Sequence, residues 1–102
     1  MMTAKAEVAT ELAPRYLTQL CKHFEHRIPV EYTSERGSIR FEGGVCRLAA
    51  TDHGLDLEVV AADAETVRRL ADVVARHLAR FAFREPPTVA WSAPAPAPEG
   101  EA

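Results

Sequence analysis

A chain of 102 residues has room for one hydrophobic core, and 47% apolar with 26% charged side chains are the proportions of an ordinary folded domain rather than a disordered one. Twelve basic against fifteen acidic side chains leave a net charge of -3, a poor match for nucleic acid, and no apolar run reaches the roughly 20 residues of a membrane helix. The start, MMTAKAEVAT, lacks the apolar centre of a secretory signal, and two cysteines cannot frame a disulfide scaffold. The expected location is therefore the cytoplasm, with no membrane and no nucleic acid among the partners.

Thr3 to Val8 alternates polar and small apolar residues, the period-two pattern of a half-buried strand. Thr10 then offers an N-cap oxygen, Glu11 suits the positive end of a helix, and Pro14 is tolerated in its first turn. Leu12, Ala13, Tyr16, Leu17, Leu20 and Phe24 recur at three- and four-residue steps, which predicts one apolar stripe on a helix running to about Arg27. Pro29 ends it.

From Ile28 to Ala61 the period is two. Ile28, Val30 and Tyr32 share one face, Ile39 and Phe41 the next, then Cys46, Leu48 and Ala50, and finally Leu55, Leu57, Val59 and Ala61. Turns are expected at Ser34 to Gly37, at the Gly43-Gly44 pair and at Asp52-His53-Gly54. Asp63 and Glu65 open a second helix whose stripe is Val67, Leu70, Val74, Leu78 and Phe81. Pro86-Pro87 closes off any helix before Thr88, and Val89 with Trp91 reads as a short last strand with Trp91 turned inward. One domain over residues 1–92 is expected, followed at 93–102 by an extended, disordered tail of Pro, Ala and Glu.

The order is β-α-β-β-β-β-α-β. A sheet with one dry face and two amphipathic helices assembles as a two-layer α+β sandwich, with both helices on that face of an antiparallel sheet. By element order it resembles one half of a TATA-binding-protein-like fold, an analogy that carries no function.

Histidines are the first place to look for chemistry. His77 falls at the centre of the second helix's stripe, where it is either a core imidazole held by a backbone carbonyl or a tyrosine hydroxyl, or a ligand group in a pocket between helices and sheet. His23 lies at the margin of the first stripe on the same side as Tyr16. Lys22, His23 and Arg27 form a small basic surface that could receive an anion or simply meet water. The candidate ligand-binding set is thus His23, Tyr16, His77, Arg27 and Lys22. His23 and His26, three residues apart, are the weak metal candidates, since two imidazoles alone make a poor site. Cys21 projects away from His23, and Cys46 points into the predicted core. On the open face Lys5, Arg40 and Arg47 are interleaved with Glu7, Glu31, Glu42, Asp56 and Glu58, a mixture that repels a phosphate backbone. No nucleophile elbow, zinc-protease motif, phosphate loop or dinucleotide fingerprint occurs, so no catalytic residue is assigned, no cofactor is named, and an enzyme is not the expected reading.

Arg15 to Phe24, Ile28-Pro29-Val30, Cys46-Arg47-Leu48 and the block from Val74 to Glu85 resemble a bacterial family known as domain of unknown function 2218, over about Thr3 to Trp91. The acidic tail is untypical of it. The resemblance implies no activity; it implies a link, through some members, to iron-siderophore uptake. Two functions stay open. One is a small binding or accessory module linked to iron or siderophore handling, taking a small ligand in a pocket between helices and sheet. The other is a protein-protein component, a homodimer or a subunit docked on a larger enzyme through an exposed apolar patch.

Overall fold

A computed structural model describes residues 1–81 and 89–97. The period-two segments become strands β1 (Met2–Ala9), β2 (Val30–Tyr32), β3 (Arg36–Phe41), β4 (Gly44–Thr51) and β5 (Gly54–Ala61); the apolar stripes become helices α1 (Ala13–Glu25) and α2 (Ala64–Phe81); and a short β6 (Ala95–Pro96) follows. These six strands form one antiparallel sheet in the order β2-β3-β4-β5-β1-β6, so the first strand of the chain enters between β5 and β6. The element order is the one expected.

Burial follows the alternation. Ala4, Ala6 and Val8 of β1, Ile39 of β3, Cys46 and Leu48 of β4, and Leu55, Leu57, Val59 and Ala61 of β5 are all buried on one face of the sheet. Leu17, Leu20 and Phe24 of α1 and Val67, Leu70, Val74 and Leu78 of α2 cover that face in a single apolar cluster. The opposite face carries Lys5, Glu7, Arg47 and Glu58 and is left uncovered by the described residues. Asp63 caps α2 as expected, its Oδ1 accepting from the Thr66 amide at 2.7 Å. That bond holds the Asp63 carboxyl below its ordinary pKa.

Three local features differ from the sequence reading. The Thr10 hydroxyl accepts from the Leu12 amide at 3.0 Å and so shapes the turn before α1 instead of capping it. The helix starts at Ala13, which leaves Leu12 46% exposed and outside the stripe. In the β3–β4 hairpin Phe41 pairs with Gly44, so the two-residue loop is Glu42-Gly43, one position earlier than the glycine pair suggested. Only Gly43 there needs positive φ, at +92°. Finally, the last strand falls on Ala95–Pro96 rather than at Val89 and Trp91. Met2 and Thr3 pair with Pro96 and Ala95, and the Ser92 amide donates to the Lys5 carbonyl at 2.8 Å. The expected tail thus begins with a strand, its residues 98–102 lying outside the described residues together with Pro86 and Pro87. Trp91 packs half-buried against the core.

Both thiols are sealed in that core. Burial first, and the Glu25 carboxylate second, push the Cys21 thiol up to about 12; burial, then the neighbouring Cys21 and Glu58, push Cys46 up as well. The thiolate is the reactive form. An aromatic disulfide reagent at mildly alkaline pH is therefore expected to leave the native chain unmodified and to titrate both cysteines only in denaturant. Native modification at the rate of free cysteine would contradict this packing.

Candidate functional site

The site is assembled where the second half of α1 meets the last turns of α2. Helical spacing places Lys22, His23, His26 and Arg27 near the end of α1, with Phe24 turned inward among them. The last turns of α2 bring His77, Arg80 and Phe81 to the same region. Cations at helix C-termini are favoured by the helix dipole, which accounts for part of this clustering without any ligand.

The imidazoles of His23 and His77 meet with ring centroids 4.9 Å apart and planes inclined at 43°. Phe24 lies beneath both, its centroid 5.1 Å from His23 and 4.9 Å from His77, and packs in turn on Phe41 at 5.0 Å. Phe81 closes the side toward α2, 5.8 Å from His23. His77 is half-buried and its Nδ1 lies 2.6 Å from the Val73 carbonyl, four residues back on the helix. A carbonyl can only accept, so the proton sits on Nδ1; in the neutral ring Nε2 then carries the lone pair. This is the backbone-carbonyl partner that a core imidazole requires.

His23 is exposed on the rim, and its pKa is lowered. Partial desolvation is the largest cause, followed by His77, Arg80, Arg27 and His26. Each of these neighbours is cationic or can become so. The result is a neutral imidazole at pH 7 in a positive field with an aromatic floor, on a protein whose net charge is -3. Such a patch favours an anion: guanidinium groups offer paired donors, and an anion beside His23 would favour the imidazolium.

Of the expected ligand set, the structure brings His23 and His77 into contact and places Arg27 close enough to act on His23. Lys22 is exposed on the adjoining surface, and Tyr16 sits two turns earlier on α1, half-buried against the core. Arg80 joins them from outside the expected set: it acts on His23, whereas Arg76, one turn earlier on α2, pairs with Asp72 at 2.9 Å. His26 acts on His23 only through its charge. Among the described residues no three His, Cys, Asp or Glu side chains converge as a metal centre.

Fold and patch define a small α+β domain with an imidazole pair flanked by arginines at its paired helix ends. The chain belongs to the family described as an uncharacterized protein conserved in bacteria, domain of unknown function 2218, whose model matches residues 5–92. It is similar to PA4090 of Pseudomonas aeruginosa, solved by NMR, at 37% sequence identity with a TM-score of 0.77, over 90% of this chain and 96% of the other. No curated protein matches it. No helix among the described residues is long and apolar enough to cross a membrane.

Proposed function

We propose that the protein is a small cytoplasmic binding module for an anionic ligand, taken up at the patch formed by His23, His77, Arg27 and Arg80. The observation that carries this reading is the imidazole pair bridging two helices in a field to which, among the described residues, only basic groups contribute. The link to iron handling that the family resemblance implies makes an anionic iron chelate the first ligand to try. Iron would arrive within that ligand, and the patch would recognise the chelate's negative charge. The protein-protein reading called for a broad exposed apolar patch; among the described residues only Met1 and Leu12 are large, apolar and exposed, and the ligand reading stands first for that reason.

The test uses ferric tris-catecholate at mildly alkaline pH, and sulfate, whose charge is constant from weakly acid to weakly alkaline solution, for the pH profile. Both are titrated calorimetrically into the full chain. An anion beside His23 raises its depressed pKa, so binding takes up a proton. Sulfate affinity is thus expected to rise as pH falls, by up to about tenfold per pH unit for one linked proton. His23→Gln flattens that slope, and Arg80→Gln weakens binding of both probes. Binding of neither probe, or binding indifferent to both substitutions, would overturn the proposal.

A further inference from the structure

The open face of the sheet is not flat. It forms a groove of about 970 Å³ whose walls are outward side chains of β1 to β5. Strand register arranges these side chains in two rows across the strands. In the first, Lys5 of β1 faces Glu58 of β5, which faces Arg47 of β4, which faces Ser38 of β3. Glu58 is satisfied there: its carboxylate lies 3.7 Å from Lys5 Nζ and 3.4 Å from Arg47 Nη1, and accepts from the Thr3 hydroxyl at 3.3 Å. Its side chain is only 19% exposed. Glu31 of β2 faces Ser38 and completes the row, whose two cations and two carboxylates sum to zero, and the row forms a wall.

The second row is different. Glu7 faces Asp56 directly across β1 and β5, Asp56 faces Ala49 on β4, and Ala49 faces Arg36 on β3. None of these three charged groups takes part in the ion pairs found among the described residues. Two carboxylates opposed across neighbouring strands repel each other, and their attraction for a cation is correspondingly strong. The methyl group of Ala49 leaves the floor low between that negative end and the Arg36 guanidinium. Two inter-strand spacings separate Asp56 from Arg36, roughly 9–10 Å.

We propose that this groove is a second binding site, independent of the histidine patch, for a short zwitterion of di- or tripeptide size. Its ammonium, with three donors, sits between Glu7 and Asp56; its carboxylate takes the paired donors of Arg36. Lys5, Arg47, Glu58 and Glu31 sum to zero along the adjoining wall, so the field along the second row runs from negative to positive in a single step. The mixed charge that argues against a phosphate backbone on this face is what suits a ligand carrying one charge of each sign.

The test is an amide NMR titration of the labelled full chain with triglycine, with N-acetyltriglycine, which lacks the ammonium, and with triglycine amide, which lacks the carboxylate. Triglycine is expected to shift the amides of Glu7, Asp56, Ala49 and Arg36. Each capped peptide should bind about fivefold more weakly, the worth of one exposed ion pair. In Arg36→Gln, checked for folding by circular dichroism, triglycine and its amide become equivalent while the acetyl cap still weakens binding. Several results would overturn the site: no shifts at about 200 mM, several times the roughly 30 mM expected of two exposed ion pairs; equal affinity for all three peptides; sensitivity to one cap only; or shifts confined to the helix ends around His23 and His77. The last would place the zwitterion in the other patch, leaving the anion reading intact and this one refuted.

Discussion

Gly54→Ala is expected to leave little folded protein at a urea concentration where the parent chain retains about 2 kcal/mol of stability and is still native. Gly54 opens β5 after the Asp52-His53 loop and faces Ala9 at the end of β1. Its φ is +147°, a conformation that residues with side chains rarely adopt. A Cβ there would overlap the Val8 carbonyl oxygen and stand 3.0 Å from both the Val8 carbonyl carbon and the Thr10 nitrogen. All three obstacles are backbone. A flexible side chain could swing aside, but Val8 and Ala9 are held in the β1–β5 ladder, and moving them unzips its end. Backbone strain at such a position costs about 1–3 kcal/mol, and displacing the ladder brings the total to about 3–5 kcal/mol. A domain of this length is stable by about 5–15 kcal/mol in all. Gly43→Ala is the control: φ is also positive, but the nearest atoms to its Cβ are Thr66 Cγ2 at 3.4 Å and Arg69 Nη2 at 3.7 Å. It should lose only about 1–2 kcal/mol in urea unfolding followed by circular dichroism. Equal losses for the two variants would show that the close approach to Val8 is not what constrains Gly54.

The strands were legible because one face of the sheet is wet. Where Leu48, Leu57 and Val59 alternate with Arg47, Asp56 and Glu58, the pattern itself separates inside from outside, and those three apolar residues are buried. Leu70 and Val74 were legible for the equivalent reason on a helix. The misplaced last strand had no such signal. Ala95–Pro96 has neither alternation nor strand-forming side chains, and what holds it is backbone: the Ala97 amide donates to the Met1 carbonyl, and just before the strand the Ser92 amide donates to the Lys5 carbonyl. Proline suits an edge position, where a missing amide costs nothing and discourages further pairing.

The candidate site was half legible. A helical wheel puts His77 on an apolar stripe and His23 at the margin of another, and both positions follow from periodicity alone. That the two rings meet depends on how α1 and α2 lie relative to each other on the sheet, and side-chain packing decides that. Arg80 was missed for this reason. The groove was out of reach on different grounds: each strand's outward residues could be named, but the rows they form depend on which strands are neighbours. β1 pairs with β5 across most of the chain, and nothing local to either strand specifies that partner. Local pattern therefore yielded the faces, and long-range pairing determined what those faces bring together.

Leu17→Ala should lower the thermal midpoint by about 15 °C, while Leu12→Ala scarcely moves it. On sequence the two leucines share a stripe, five residues apart at the start of the same helix. In the fold Leu12 precedes the first helical residue and is 46% exposed, whereas Leu17 has no exposed surface. Leu17 lies over β3, where its Cδ2 would be 3.5 Å from a Cβ at Gly37, close to Cys21 and Tyr32. Those neighbours are fixed by the sheet and by α1 itself, so they cannot collapse far into the space a truncation leaves. Removing a buried leucine side chain forfeits its transfer free energy and leaves a cavity, together about 3 kcal/mol. For a domain of about 100 residues each kcal/mol moves the midpoint by about 4–8 °C, which leads to the expected fall. Leu12→Ala removes surface that was already half in water and should stay within about 0.5 kcal/mol. Paired thermal melts of the two variants decide the matter. Comparable losses would mean that α1 begins before Ala13 and presents Leu12 to the core.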